Sequence, residues 1–561
     1  MAPEQKTLNP FGAEITPQGV RFRLWAPQAK QVELRLQKDF FPLARKEDGW
    51  YELVEPRAQA GDLYKFRIDG EQLVPDPASR FQPQDVDGPS EVIDPAAFRW
   101  NEGWQGRPWR DAVLYELHVG AFTPEGTYAG VVHKLNHLKE IGITAIELMP
   151  LSDFAGRRNW GYDGVLPYAP DSAYGRPDDL KRLVQAAHDA GLMIFLDVVY
   201  NHFGPKGNYL HVYAPQFFTQ RHETPWGAAI DFAQPAVRQY FVNNVRYWLE
   251  EFRFDGLRFD AVHAIHDDSP RHILDEIAES VREGKHLVLE NDANQSRFIG
   301  PGKYDAQWND DSHHGYHVLA TGEDDGYYVA YADAPAKHLA RCLAEGFAYQ
   351  GETSPFTKEP RGEASAHLPP ACFVDFLQNH DQIGNRAMGE RLLSLTEARK
   401  LRVLSAIQLL APSPPLLFMG EEWGCRQPFL FFCDFDGELG EAVRHGRRAE
   451  FSRFASFKDR VPDPLAETTF RRCVLRWKDR DTAWLAHYKE LLSLRKSEIV
   501  PLDCGPGRYR MLGERAFEVS WDGLKLVANC GEDPVAVDAP ARQPLWSNGA
   551  PGQPWTANWW K

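Results

Sequence analysis

Eight short apolar runs recur between residues 112 and 421, and they constrain the fold more than any other feature. They are "AVLYELHVG" from Ala112, "TAIELMP" from Thr144, "MIFLDVVY" from Met193 and "GLRFDA" from Gly256, then "HLVLEN" from His286, "YDAQWN" from Tyr304, "CFVDFLQN" from Cys372 and "PLLFMGE" from Pro415. Each is continuous rather than alternating, as expected of parallel strands covered on both faces. Amphipathic segments lie between them. "YAGVVHKLNHLKEIG" aligns Tyr128, Val131, Val132, Leu135, Leu138 and Ile141 on one stripe, and "VRQYFVNNVRYWLEEF" does the same with Val237, Tyr240, Phe241, Val245, Trp248, Leu249 and Phe252. Eight such strands with helical crossovers predict an α/β fold, a (β/α)8 TIM barrel. An open doubly wound sheet is the structural alternative.

The barrel does not account for the whole chain. Residues 1–108 read as an N-terminal β-sandwich, because "GVRFRLWAP", "QVELRL" and "LYKFRIDG" alternate apolar and polar positions. "EGWQGRPWR" (Glu102 to Arg110) reads as a linker, and "DTAWLAHYKELLSLRKS" as the last helix of a barrel domain spanning 109–498. "RAFEVSWDGLKLVANC" and "LWSNG" then predict a small C-terminal β-domain over 499–561. The connection from Asn201 to about Gln234 is long and rich in Pro, Gly and aromatic residues, and at the C-terminal face of a barrel such loops build sites.

The net charge of −16 argues against nucleic acid or an anionic membrane as partner, since phosphate would be repelled. The seven cysteines are irregularly spaced and contain no C-x-x-C, which predicts neither a disulfide framework nor a zinc site. No apolar run is long enough to span a bilayer and no signal peptide is visible at the start, so the expected compartment is the cytoplasm.

Polar residues punctuate the ends of the apolar runs. Asp197, Asn201 and His202 follow the third; Arg258 and Asp260 sit in the fourth; Glu290 ends the fifth; Asn379, His380 and Asp381 follow the seventh. Singly, each has a plain structural reading: a helix cap, a turn former or an internal ion pair. Asp197 is read as a structural partner of Arg258, and Glu147 as a member of a salt bridge inside the barrel. At one barrel mouth, however, three carboxylates with an arginine and two histidines suit glycoside hydrolysis. That reaction needs one carboxylic acid to protonate the leaving oxygen and one carboxylate to attack or to activate water. Arg258 is expected to keep a neighbouring carboxylate ionised.

The segments "DVVYNH", "GLRFDAVHA", "LVLEN" and "FLQNHD" closely resemble, in order, the four sequence regions of the α-amylase family, glycoside hydrolase family 13. "SDFAGRRNWGYDG", "NHFGPKGNYL", "YDAQWNDDSHH", "FLQNHDQIGNR" and "GRRAEF" are similar to the branch of that family that releases trehalose from maltooligosyltrehalose. "YELHVG" and the front β-domain also resemble glycogen branching and isoamylase-type debranching enzymes, which remain the alternative. A non-catalytic glucan-binding protein is the alternative of another class, and retention of all three carboxylates argues against it.

The resemblance implies roles at matching positions. Asp260 would be the nucleophile of a retaining double displacement, Glu290 the general acid/base and Asp381 the third carboxylate. Arg258 would orient the nucleophile, His202 and His380 would bind the sugar on the glycone side of the cleaved bond, and Tyr162 would stack beneath it. His263 would touch the leaving-group side, where Trp160, Trp226 and Gln382 are further candidates for shaping trehalose specificity. Glu290 is expected to titrate above an ordinary glutamate, as an acid must. No cofactor and no metal is implied: Asn201 matches a position that holds calcium in amylases, but "FGPKGNYL" beside it lacks carboxylates. The expected partner is the oligosaccharide alone, bound by a monomer or a homodimer.

Overall fold

All eight apolar runs become strands, and they close into a parallel barrel. In the computed structural model, which describes residues 10–451 and 461–561, these are β1 Leu114–Leu117, β2 Ala145–Leu148, β3 Met193–Val198, β4 Gly256–Phe259, β5 His286–Leu289, β6 Ala306–Trp308, β7 Phe373–Phe376 and β8 Pro415–Phe418. β8 pairs with β1 through Leu114 opposite Leu416, which closes the circle and removes the open edges of a doubly wound sheet.

Period-two geometry divides the barrel interior into two levels. Leu114, Ala145, Phe195, Val288, Ala306, Val374 and Leu416 belong to one buried apolar cluster. Two residues further along their strands, on the same face, stand Glu116, Glu147, Asp197 and Glu290, with Arg258 two beyond Gly256. The lower level packs, while the upper level carries charge on β1 to β5 and the rings of Trp308, Phe376 and Phe418 on β6 to β8. Gly256 is required at the lower level, because a Cβ there would lie 2.2 Å from the Phe195 ring and 2.5 Å from the His286 carbonyl oxygen.

Two helical expectations are refined. The first stripe folds as two short helices, Tyr128–Val132 and Leu135–Ile141, with the Lys134 ammonium over the Trp477 ring at 4.4 Å near the break. The second folds as Pro235–Arg246 and then widens into a π-helical turn, Tyr247–Glu251. The long connection after β3 holds a short helix, Leu210–Tyr213, and a hairpin of Phe218–Thr224 with Gly227–Ile230 that carries Trp226 at its tip.

The segment read as a linker is structural. Trp104 stacks on His188 at 4.9 Å and donates its indole N–H to Asp255 Oδ1 (2.7 Å). Trp109 joins the apolar cluster of the barrel interior and donates to the Ala371 carbonyl (2.8 Å). A linker pattern of Gly and Pro concealed two large side chains that cap the barrel's underside.

Ahead of the barrel, two antiparallel sheets face each other. Val20, Phe22 and Leu24 of one and Val32, Leu34, Phe66 and Ile68 of the other are buried, as their alternation requires. This sandwich packs on the helix Pro235–Arg246 and its π turn: Phe11 meets Tyr240 edge-on, Arg80 lies over the Tyr168 and Tyr247 rings, and Tyr240 donates to the Pro77 carbonyl. The tail forms a five-stranded antiparallel sheet. All seven cysteines are buried free thiols, and among the described residues no helix is long and apolar enough to cross a membrane.

Candidate active site

Arg258 is the hub of the barrel mouth. Its guanidinium is fully buried, lies 4.2 Å above the Trp308 ring, and meets three carboxylates. Nη1 donates to Asp197 Oδ2 (2.6 Å) and to Asp260 Oδ1 (2.9 Å). Nη2 sits 2.7 Å from Glu290 Oε2, within ion-pair distance but out of hydrogen-bond alignment. The pairing of Asp197 with Arg258 is therefore present, and Arg258 and Asp260 share a strand face because both reach this mouth.

Asp260 and Glu290 follow directly on β4 and β5 and are bridged by the Arg258 guanidinium. Ala261 adopts a left-handed backbone (φ 41°, ψ 48°), unusual for a non-glycine residue. That turn points its N–H at Glu290 Oε2 (2.8 Å). Burial and then the Glu290 charge push the Asp260 carboxyl well above the ordinary aspartate range, against the pull of Arg258. Burial works on Glu290 in the same sense, but Arg258 and the Ala261 N–H outweigh it, and Glu290 lies below its usual value. For the substrate-free protein Glu290 is thus shifted opposite to the expectation, while Asp260 is shifted up.

Asp381 lies in a short helix, His380–Gly384, whose cap Asn379 accepts from the N–H groups of Asp381 and Gln382. Burial raises Asp381, and His380 partly offsets this. His380 hydrogen-bonds through Nδ1 to Glu116 Oε1, while its N–H donates to Glu116 Oε2 (3.0 Å). Burial alone would discharge His380; Glu116 more than compensates, so the imidazole titrates above its normal value. Tyr162 stacks on His380 at 5.0 Å and donates its hydroxyl to Asp197 Oδ2 (2.7 Å). Arg258, Asp260, Glu290, Asp381, His380 and Tyr162 are thus brought together.

Other candidates are placed differently. His202 has both ring nitrogens engaged, Nε2 with the Tyr162 carbonyl (3.0 Å) and Nδ1 with Asn201 (2.9 Å), and burial lowers its pKa to about 4. Through the Tyr162 carbonyl it buttresses the Tyr162 backbone. Trp226 covers it, stacked at 4.5 Å, with its own ring 48% exposed. Trp160 is buried, stacked on Phe429 and edge-on to His380, with its indole N–H donated to the Leu430 carbonyl. It forms a wall behind His380, so close to Gly384 that a Cβ there would lie 2.0 Å from its ring. Glu147 forms no salt bridge. Neither carboxyl oxygen has a partner, and burial, Glu116 and Asp197 push it well above the glutamate range.

A cavity of about 260 Å³ opens from Glu290 and Asp381 and continues past His263, Gln382 and Arg361 to Phe356. His263 Nδ1 accepts from the Asp292 N–H (3.2 Å). Asp260, Arg258, Tyr162, His380 and both tryptophan candidates are not among its lining residues. The sequence reading omitted Glu116 and Asp310, although both were visible as acids within or directly after an apolar run. It also omitted Arg447 of "GRRAEF", which crosses from the loop after β8 and donates to the Gly384 carbonyl (2.6 Å). Among the described residues no group of three or more His, Cys, Asp or Glu side chains could hold a metal ion.

The chain matches the family model of the alpha amylase catalytic domain over residues 78–221 and that of carbohydrate-binding module 48, the isoamylase N-terminal domain, over residues 10–97. It is similar to a malto-oligosyltrehalose trehalohydrolase of Saccharolobus solfataricus, 42% identical over 498 residues that cover 87% of each chain. It is also similar to one of Deinococcus radiodurans, 45% identical over 493 residues that cover 86% of this chain and 82% of the relative. A crystal structure of a Salmonella typhimurium protein, provisionally assigned as an alpha amylase, superposes with a TM-score of 0.95 at 47% identity, covering 98% of this chain and 99% of that one. With relatives this similar along most of its length, the chain belongs to the malto-oligosyltrehalose trehalohydrolase family, a branch of the alpha-amylase family, glycoside hydrolase family 13.

Proposed function

We propose that this protein hydrolyses the α-1,4-glucosidic bond next to the terminal trehalose of maltooligosyltrehalose, releasing trehalose in its biosynthesis. The observation that carries the reading is the bridge from one buried guanidinium to Asp260 and Glu290, with Asp381 across the mouth. Carboxyls that close leave no room for a water between them, so the first step is attack by a carboxylate and the anomeric configuration is retained.

Asp260 is the nucleophile and Glu290 the acid. The reaction needs Asp260 ionised and Glu290 protonated when substrate is bound. A glycosidic oxygen entering beside Glu290 leaves Asp260 held by Arg258 and favours the proton on Glu290. An Asp260 oxygen then attacks C1 while Glu290 gives its proton to the departing trehalose oxygen. In the second step water attacks C1, its proton passes to Glu290, and Asp260 leaves as carboxylate. Asp381, beside His380, binds hydroxyls of the distorted sugar, and Tyr162 forms the platform beneath it. His202 and Trp160 act by holding Tyr162 and His380. The domains 1–108 and 499–561 brace the barrel of 109–498. The reading goes with a cytoplasmic enzyme, a monomer or a homodimer, acting on a dissolved oligosaccharide.

Incubation with maltotriosyltrehalose, followed by separation of the products, tests the reading. Trehalose is the expected small product, and Asp260→Ala lowers its release by roughly 10³-fold or more. No trehalose, with α-1,6 bonds formed or cut in glucan instead, would make the protein a branching or debranching enzyme.

A further inference from the structure

Two adjacent acids open the helix Asp310–Thr321 that follows β6, and their surroundings are opposite. Asp311 is saturated. It pairs with Arg361 and accepts from the Tyr331 hydroxyl, Asn294 Nδ2 (3.1 Å) and the N–H groups of Ala348 (2.8 Å) and Tyr349 (3.3 Å). Arg361 leads the groups that hold it below the aspartate range despite complete burial. Asp310 makes one hydrogen bond, from Gln382 Nε2 to its Oδ1 (3.1 Å). Its neighbours in charge are Glu290, Asp292 and Asp381, with Arg361 a weak counterweight. The helix N-terminus favours an anion at this position, but three carboxylates oppose it. Burial and those acids keep Asp310 well above the carboxylate range.

Gln382 is also unfinished. Its Oε1 is buried and receives no hydrogen bond. Both side chains line the cavity that begins at Glu290. The cavity starts at Glu290 and Asp381 and runs away from the glycone-side groups Asp260, Tyr162 and His380 towards Arg361 and Phe356; since Glu290 faces the leaving oxygen in the proposed reaction, the part beyond it lies on the leaving-group side. That placement rests on the proposed function.

We propose that Asp310, together with Gln382, hydrogen-bonds hydroxyls of the departing trehalose and selects it over a maltose unit. A neutral carboxylic acid both donates and accepts, as do a primary amide and a sugar hydroxyl, so the dyad suits an uncharged polyol. A polar wall of this kind rejects a ligand whose hydroxyls point elsewhere, because its own groups are then left unpaired.

The test compares kcat/KM for maltotriosyltrehalose and for α-maltotriosyl fluoride, whose leaving group fills no sugar subsite, and adds trehalose as an inhibitor of the fluoride reaction. In Asp310→Ala the loss on the trehaloside exceeds the loss on the fluoride by tenfold or more, and the inhibition constant for trehalose rises by a similar factor. Asp310→Asn, neutral and of the same shape, recovers most of both. Equal losses on the two substrates, or unchanged inhibition by trehalose, overturn the assignment. Should Asp310→Ala fail to fold, the Asn variant must still keep trehalose inhibition within threefold of wild type, and a larger loss overturns it. Wild-type protein that releases no trehalose defeats the proposed function before any variant is measured, whereas wild-type release with equal losses defeats only the role of Asp310.

Discussion

At the scale of single residues, the mouth of the barrel is a shortage of cations. Arg258 faces Asp197, Asp260 and Glu290, and Glu147 lies nearby with no partner at all. Burial and the neighbouring charges divide the acids: Glu147 and Asp260 are held high and Glu290 is held low. The charge of Glu290 is the largest force on Asp260 after burial. Glu290→Gln removes that charge, so Asp260 ionises more readily. An activated glycosyl fluoride needs no acid to leave, so its fluoride release by Glu290→Gln reports on Asp260 alone. The acid limb of that rate should move to lower pH by about one unit or more. A limb that stays in place would mean that burial alone governs Asp260.

At the scale of elements, the site depends on loops after different strands being tied together. Glu323, after the β6 helix, accepts from His317 (2.7 Å) and from Arg386 in the loop after β7 (2.7 and 3.0 Å). The His317 hydrogen bond, then Arg386, hold its pKa down at about 2 although partial burial opposes them. A depressed carboxylate contributes stability that is present above its unfolded value, near 4.5, and lost as pH falls towards about 2. Glu323→Gln should therefore be less stable than wild type at neutral pH, by about 1 kcal/mol once its partial exposure is discounted. The difference should shrink below pH 4.5 and vanish near pH 2, as urea midpoints across that range will show. A gap independent of pH would assign the effect to packing.

For the whole molecule, one buried apolar cluster runs from Val20 of the front sandwich through Leu148 and Phe259 of the barrel to Trp559 of the tail, so these parts share a core. The barrel's lower interior is a separate cluster closed by Trp109. Removing that plug opens a cavity beneath the site without touching it. Trp109→Ala is expected to cost about 3–5 kcal/mol, as for other large-to-small core changes. Thermal unfolding should drop sharply while the kcat/KM of the folded fraction stays near wild type. Unchanged stability would show the plug to be dispensable.

The sequence by itself determined the barrel, the front and tail sheets and the family, because these depend on periodicity and on short contiguous motifs. Eight apolar runs, their alternation with amphipathic helices, and acids at the run ends are local facts, readable without coordinates. Only tertiary structure decided what each acid and ring does. Asp260 is pushed up and Glu290 down because groups from β3, β4 and β5 meet there, hundreds of atoms apart along the chain. Glu147 has no cation for the same reason: Arg258 is already engaged by three other carboxylates. Trp160 and Trp226 looked alike as ring donors, and packing made one a wall behind His380 and the other an exposed cover on His202. Asp310 and Asp311 are adjacent and identical in the sequence. Arg361 reaches one of them and three carboxylates surround the other, and that difference exists only in three dimensions.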